Sequence, residues 1–109
     1  MEWTVAAQLA EMEEGQGVRL CHAGRVVAVF LVEGEVYALD DLCSHAEASL
    51  SEGEVFDTEV ECPLHGAAFD LASGEALTLP ATRPVATYPT RVEQGKVLVK
   101  ISDDRAEEA

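Results

Sequence analysis

Basic residues are scarce in this chain: seven Lys and Arg stand against twenty-one Asp and Glu in 109 residues, a formal net charge of −14. A surface of that sign repels nucleic acid and anionic membranes, so neither is an expected partner, whereas a basic or neutral protein surface is. Long apolar runs are missing too. The longest, Val26 to Val32 ("VVAVFLV"), is far short of the roughly 20 residues a membrane-spanning helix needs, so no membrane partner is expected. The opening "MEWTVAAQ" lacks the basic-then-apolar pattern of a secretory leader, which makes the cytoplasm the expected compartment. Cysteine is rare and odd in number, three in all. That excludes a fully paired disulfide scaffold and leaves reduced thiols available as ligands. Helical periodicity is nearly absent. Only Thr4 to Glu14 carries it, with Val5, Leu9 and Met12 at near-helical spacing behind Thr4 as a cap, and one or two helical turns are expected there.

What remains is β in character. A chain of this length fits one domain, residues 1–109, and should bury about two-thirds of the surface it exposes when unfolded. Short β-rich segments ("VRLCH", "RVVAVFLV", "VYAL", "VATYPTRV", "KVLVKI") alternate with glycine-containing turns. Glu33-Gly34-Glu35 and Glu93-Gln94-Gly95 read as hairpin loops, giving antiparallel hairpins over Arg25 to Leu39 and Val85 to Ile101 and hence an all-β sandwich or barrel. Trp3, Phe30 and Phe69 are expected in the core. Cys21 and His22 are adjacent on a strand, so one points inward, and the thiol is the expected one. The tail 103–109 has almost no apolar content and is expected to fray. Gly15-Gln16-Gly17 is not a dinucleotide fingerprint, because Leu20 holds the third glycine position.

Between the hairpins, Asp40 to Thr82 holds two close Cys-His pairs: Cys43 with His45, and Cys62 with His65. Thiolate and neutral imidazole can together make a tetrahedral zinc site or share the two irons of a cluster. In a zinc finger like residues pair with like, whereas here each close pair is mixed. Mixed pairs suit a cluster with chemically different ends, each loop offering one sulfur and one nitrogen. A zinc-stabilised interaction module is the alternative from another class.

Cys43-Ser44-His45 and Cys62-Pro63-Leu64-His65-Gly66, with Phe69-Asp70, Ser73-Gly74, Leu79-Pro80 and the run Pro84, Tyr88, Val92, resemble the Rieske family from about Tyr37 onward. The resemblance implies an antiparallel β sandwich or barrel with a small cluster-binding subdomain. Two ligand loops, about 40–48 and 61–68, would sit under a covering loop at Pro80. One [2Fe-2S] cluster is implied, with Cys43 and Cys62 on the buried iron and His45 and His65 on the outer, reducible one. Gly66 would let the backbone pass close to the sulfurs.

Rieske proteins of respiratory and photosynthetic complexes carry a further cysteine in each ligand loop, where this chain has Ala48 and Leu64. They also carry hydroxyl donors near the second loop, where this chain has Gly66-Ala67-Ala68. Fewer hydrogen bonds to the sulfurs imply a potential toward the low end of the Rieske range, roughly −150 mV. From Val26 to Thr82 there is no Lys or Arg but a succession of acids from Glu33 to Glu75, expected to steer basic redox partners.

Nothing beyond the cluster ligands supplies a reaction. Only His22 is left over for a non-haem iron site that needs two histidines and a carboxylate, and no nicotinamide fingerprint is present. The chain looks like the stand-alone ferredoxins of bacterial aromatic-ring-hydroxylating dioxygenase systems. That resemblance implies a soluble, monomeric one-electron carrier, not an enzyme, between an NAD(P)H-dependent flavoprotein ferredoxin reductase and the Rieske centre of a terminal oxygenase. The small subunit of assimilatory nitrite reductase is the alternative within redox chemistry.

Overall fold

A computed structural model describes residues 2–22, 24–41, 49–63, 66–78 and 84–101. Among them the regular structure is ten strands and two single 3₁₀ turns, Leu9–Glu11 and Leu50–Glu52. The strands are β1 (Glu2–Gln8), β2 (Gly17–His22), β3 (Arg25–Val32), β4 (Glu35–Asp40), β5 (Glu54–Phe56), β6 (Glu59–Glu61), β7 (Ala68–Asp70), β8 (Thr87–Tyr88), β9 (Thr90–Glu93) and β10 (Lys96–Ile101). They form three antiparallel sheets, ordered β1-β10-β9, β2-β3-β4-β8 and β5-β6-β7. The all-β expectation holds. No helix of the described residues is long and apolar enough to cross a membrane.

The continuous apolar run in β3 follows from its central place. Successive side chains of a strand point to opposite faces, and here both faces are covered. Ala28, Phe30 and Val32 join one buried cluster, with Leu39, Leu50, Val60, Cys62, Ala67, Phe69, Leu71 and Val85. Val27 and Val29 join the other, with Met12, Ala38, Val97, Val99 and Ile101. The first cluster binds the β5-β6-β7 sheet to the central sheet, and the second binds the terminal sheet to its other face. Fully burying a side chain such as Phe30 or Phe69 is worth about 1.5–3 kcal/mol.

Both hairpin turns are one residue tighter than the sequence suggests. Glu33 (φ 50°) with Gly34 (φ 83°), and Gln94 (φ 53°) with Gly95 (φ 78°), make two-residue turns with both residues left-handed, so that Glu35 pairs with Val32 and Lys96 with Glu93. That geometry matches the right-handed twist of the flanking strands. The second hairpin is also shorter, because Pro89 has no N–H to donate. The chain divides there: β8 pairs with β4 in the central sheet and β9 pairs with β10 in the terminal one.

Three local expectations are overturned. Thr4 to Glu14 is not helical: β1 pairs with β10 from Glu2 to Gln8, and only Leu9–Glu11 makes a single 3₁₀ turn. An irregularity between Val5 and Ala7 lets Ala6 and Ala7 both pack against the second cluster while Val5 stays exposed, so the helical spacing was a strand with a bulge. Trp3 is 37% exposed rather than core, lying on the outer face beneath Arg91 and Lys100, whose cationic groups are 4.9 and 5.8 Å from the ring centre. On β2 the inward residues are Val18, Leu20 and His22, and the alternation therefore carries Cys21 outward with Arg19, the reverse of the expected pair.

Candidate metal centre

Cys43, His45 and His65 lie outside the described residues, as do Pro80 and the 103–109 tail. The structure places Cys62 and the ends of all three loops that the sequence assigns to the site. Those ends share one core: Leu50 follows the first ligand loop, Cys62 and Ala67 bracket the second, and Leu71 and Val85 support the base of the covering loop, all within one buried cluster.

The segment 42–48, which the sequence assigns to the first ligand loop, runs between Asp41, next after β4, and Ser49. Its two ends are tied through the main chain, since Leu50 N–H donates to the Asp41 carbonyl at 2.6 Å. The Asp41 side chain ties them again. It is only 3% exposed, the single buried polar or charged residue among those described. Its Oδ1 accepts from the Ser51 N–H at 2.8 Å and its Oδ2 from the Ser49 hydroxyl, which also lies 2.9 Å from the Ser51 hydroxyl. The Arg19 Nε stands 3.6 Å away on β2. A buried carboxylate of this kind is tolerable because several donors meet it.

The second loop leaves β6 at Cys62, which is 1% exposed. Cys62 N–H donates to the Ala67 carbonyl at 2.7 Å and closes the loop base. Gly66 has φ 73°, a left-handed conformation that favours glycine, and the Glu61 carboxylate lies 3.6 Å from where a Cβ there would stand. Of the hydroxyls near this loop, that of Thr78 is engaged, accepting from Ala68 N–H at 2.9 Å.

The residues flanking 79–83, the segment the sequence assigns to a covering loop, are each tied to the main chain. Before it, Leu77 N–H donates to the Ala68 carbonyl at 2.8 Å; after it, Val85 N–H donates to the Gly74 carbonyl at 2.9 Å. Asp70 steadies the turn beneath by accepting from the Ser73 N–H and hydroxyl at 2.9 and 2.8 Å.

A second polar chain supports the end of β4. Arg25 Nη1 donates to the Tyr88 hydroxyl at 3.0 Å, which donates in turn to Asp40 Oδ1 at 2.5 Å. Burial, and then the bond to Asp40, push the Tyr88 phenol above its ordinary range, with Arg25 acting more weakly in the other direction. Sequence reasoning treated Asp40 and Asp41 only as surface charge and missed both roles. The available signal was two acids at the end of an apolar strand, immediately ahead of a ligand loop.

The acids that do face solvent include Glu33, Glu35, Glu52, Glu54, Asp57, Glu59 and Glu75. On the β5-β6 hairpin Glu54 stands opposite Glu61, and Phe56, 55% exposed, stands opposite Glu59. Like charges placed opposite one another across a sheet cost stability.

These features fit an iron-sulfur cluster. A cysteine buried next after β6, followed within four residues by a left-handed glycine, is a thiol placed where it could serve as a sulfur ligand shielded from water. Among the described residues no three His, Cys, Asp or Glu side chains gather into another metal site.

Comparison with known proteins agrees. A model of the Rieske [2Fe-2S] domain matches residues 2–89. The chain is 38% identical over 102 residues to the ferredoxin component of the naphthalene 1,2-dioxygenase system of Pseudomonas putida, covering 94% of this chain and 98% of that one. It is 46% identical over 99 residues to the 3-phenylpropionate/cinnamic acid dioxygenase ferredoxin subunit of Escherichia coli (strain K12), covering 90% and 92%. Its structure is similar to the ferredoxin of carbazole 1,9a-dioxygenase from Nocardioides aromaticivorans IC177, with TM-score 0.89 and 34% identity over 94% of this chain and 100% of that one. It is also similar to a chain in a complex of reduced oxygenase and oxidized ferredoxin in carbazole 1,9a-dioxygenase, with TM-score 0.85 and 33% identity over 92% and 97%.

The chain therefore belongs to the Rieske [2Fe-2S] domain family. It is a ferredoxin-type electron-transfer component, not a catalytic subunit, and its cofactor is one Rieske-type [2Fe-2S] cluster. The match begins well before Tyr37, where the sequence resemblance had started, so the first three strands belong to the family's pattern as well.

Proposed function

We propose that this chain, as one domain over residues 1–109, carries single electrons from an NAD(P)H-dependent flavoprotein reductase to the Rieske centre of a terminal aromatic-ring-hydroxylating oxygenase. Cys43 and Cys62 hold the inner iron, and His45 and His65 the outer iron. When bound, the cluster stores and releases one electron. The chain's own residues position it and exclude water. The single observation that carries this reading is Cys62: a buried thiol in the same core that holds the ends of both neighbouring loops, as an inner ligand requires. The names of its relatives favour this role over that of a nitrite reductase small subunit.

Gly66 turns the second loop. The acidic β5-β6 hairpin, which sets Glu54 opposite Glu61 at a cost in stability, meets basic surfaces on the redox partners. A monomer in the cytoplasm suits a shuttle that must leave one partner before meeting the next. The experiment is reconstitution: reductase, this protein and oxygenase from an aromatic dioxygenase system, with NADH consumption and product formation followed. Product formation that depends on this protein is the expected result; a colourless protein that holds zinc in place of iron and sulfide would sink the proposal.

A further inference from the structure

We infer that Asp41 is a positioning residue for the cluster: its carboxylate closes the base of the first ligand loop, and its charge holds the reduction potential down. The inference rests on the proposed ligands Cys43 and His45. The two residues Asp41 and Ser49 bound the segment that carries both.

A carboxylate only 3% exposed loses much of its hydration, a cost of several kcal/mol for an unpaired ion. The structure offsets that cost with donors from both sides of the loop. Ser49 and Ser51 donate from the 3₁₀ turn Leu50–Glu52 and the residue before it, and Arg19 approaches at 3.6 Å from β2. Arg19 is itself largely solvent-exposed, with 59% of its side chain accessible, so it compensates the charge only in part. The main-chain bond from Leu50 N–H to the Asp41 carbonyl, and another from Asp41 N–H to the Val26 carbonyl at 3.0 Å, fix residue 41 to the central sheet. The side chain is thus anchored at one end to a rigid strand and grips the loop's other end.

Loop closure alone does not require a charge. An asparagine has nearly the same shape, and its amide oxygen can accept from the Ser51 N–H while its NH2 donates to the Ser49 hydroxyl, which can rotate to accept. A retained negative charge in a dry position two residues ahead of Cys43 has a further effect. Adding an electron to the cluster makes it more negative, and a fixed anion in low-dielectric surroundings opposes that step more strongly than an exposed acid does. Closure and charge are therefore separable by substitution.

The test compares wild type, Asp41→Asn and Asp41→Ala for iron and sulfide content, far-UV circular dichroism, the EPR spectrum of the reduced state and midpoint potential. Asp41→Asn is expected to keep its iron and sulfide and to titrate at a higher potential than wild type. Asp41→Ala is expected to lose most of its cluster while its β-sheet signal persists. An Asp41→Ala protein with wild-type iron content and potential would overturn the inference. If that variant does not fold, Asp41→Asn still decides, because a cluster-loaded Asn protein with an unchanged potential overturns the charge role. Wild type without iron and sulfide would instead overturn the proposed function, so the two failures are distinguishable.

Discussion

The carbonyl oxygen of Val85 occupies the space that any side chain on Gly74 would need: a Cβ there would stand 2.1 Å from it, with φ at 78°. The two backbones touch because Val85 N–H donates to the Gly74 carbonyl, and this contact fixes the chain at Val85. Gly74→Ala combines left-handed strain of about 1–2 kcal/mol with overpacking of about 1–3 kcal/mol. A loss of about 2–4 kcal/mol is expected in urea denaturation, with faster bleaching of the visible bands as water gains access. A variant within about 0.5 kcal/mol of wild type would contradict the close approach.

The Tyr88 phenol gives a pH signature. Its raised value means that the folded state prefers the protonated form, so its contribution is fully present below the ordinary value of 10.0 and is lost as pH rises through the higher folded value. Stability should be level from neutral pH to about 9 and fall above about 10. Tyr88→Phe should flatten that alkaline fall. At pH 7 it should cost about 1–2 kcal/mol, because Asp40 loses a donor. Chemical denaturation of both proteins at several pH values checks this, and parallel alkaline slopes would refute it.

The sequence made the β architecture readable because its signals are local: Glu33-Gly34 and Gln94-Gly95 mark turns, and the β3 run marks a strand buried on both sides. It misjudged features that depend on distant partners. Val5, Leu9 and Met12 have helical spacing, but β10, nearly a hundred residues away in the chain, offers a ladder that outweighs a short helix's weak propensity. Trp3 is hydrophobic by composition, yet Arg91 and Lys100 make its outer-face position favourable. The spacing of the two Cys-His pairs pointed to a metal site, whereas the buried role of Asp41 was signalled only by its place at the end of an apolar strand. Nothing in "LDDLCSH" reveals that one of two adjacent acids is buried and the other half-buried.

Cys21 is exposed on β2 while Cys62 is buried, so their reactivities should differ sharply. Cys21→Ser should leave the visible spectrum and the potential unchanged and remove the fast phase of alkylation by a maleimide. Mass spectrometry of the labelled protein checks the site. Loss of colour in a folded Cys21→Ser protein would mean that the wrong cysteine had been assigned to the solvent.

The docking role proposed for the acidic hairpin predicts that electron transfer is salt-sensitive. The Debye length shrinks from about 10 Å at 0.1 M salt to about 3 Å at 1 M, which screens exposed Glu54 and Glu59 from a partner's basic patch. The second-order rate of reduction by the reductase should fall about tenfold or more over that range. Glu54→Gln with Glu59→Gln should lower the rate at low salt and have little effect at high salt. Stopped-flow measurements would expose the opposite pattern, an increase with salt, which would assign association to apolar contact at Phe56.

The proposed outer-iron ligands, His45 and His65, offer a direct electronic test. Replacing the neutral imidazole of His65 by a thiolate adds a negative charge where the electron arrives, so the oxidised state gains relative to the reduced one. All-cysteine clusters of the plant type lie near about −400 mV, against a lower Rieske limit of about −150 mV. His65→Cys should therefore move the midpoint downward, toward the all-cysteine value, and His45→Cys should do the same if the cluster survives. A redox titration followed by EPR measures the shift. An unchanged midpoint in a cluster-loaded His65→Cys protein would remove His65 from the ligand set and with it the unequal iron pair on which the electron-carrier role depends.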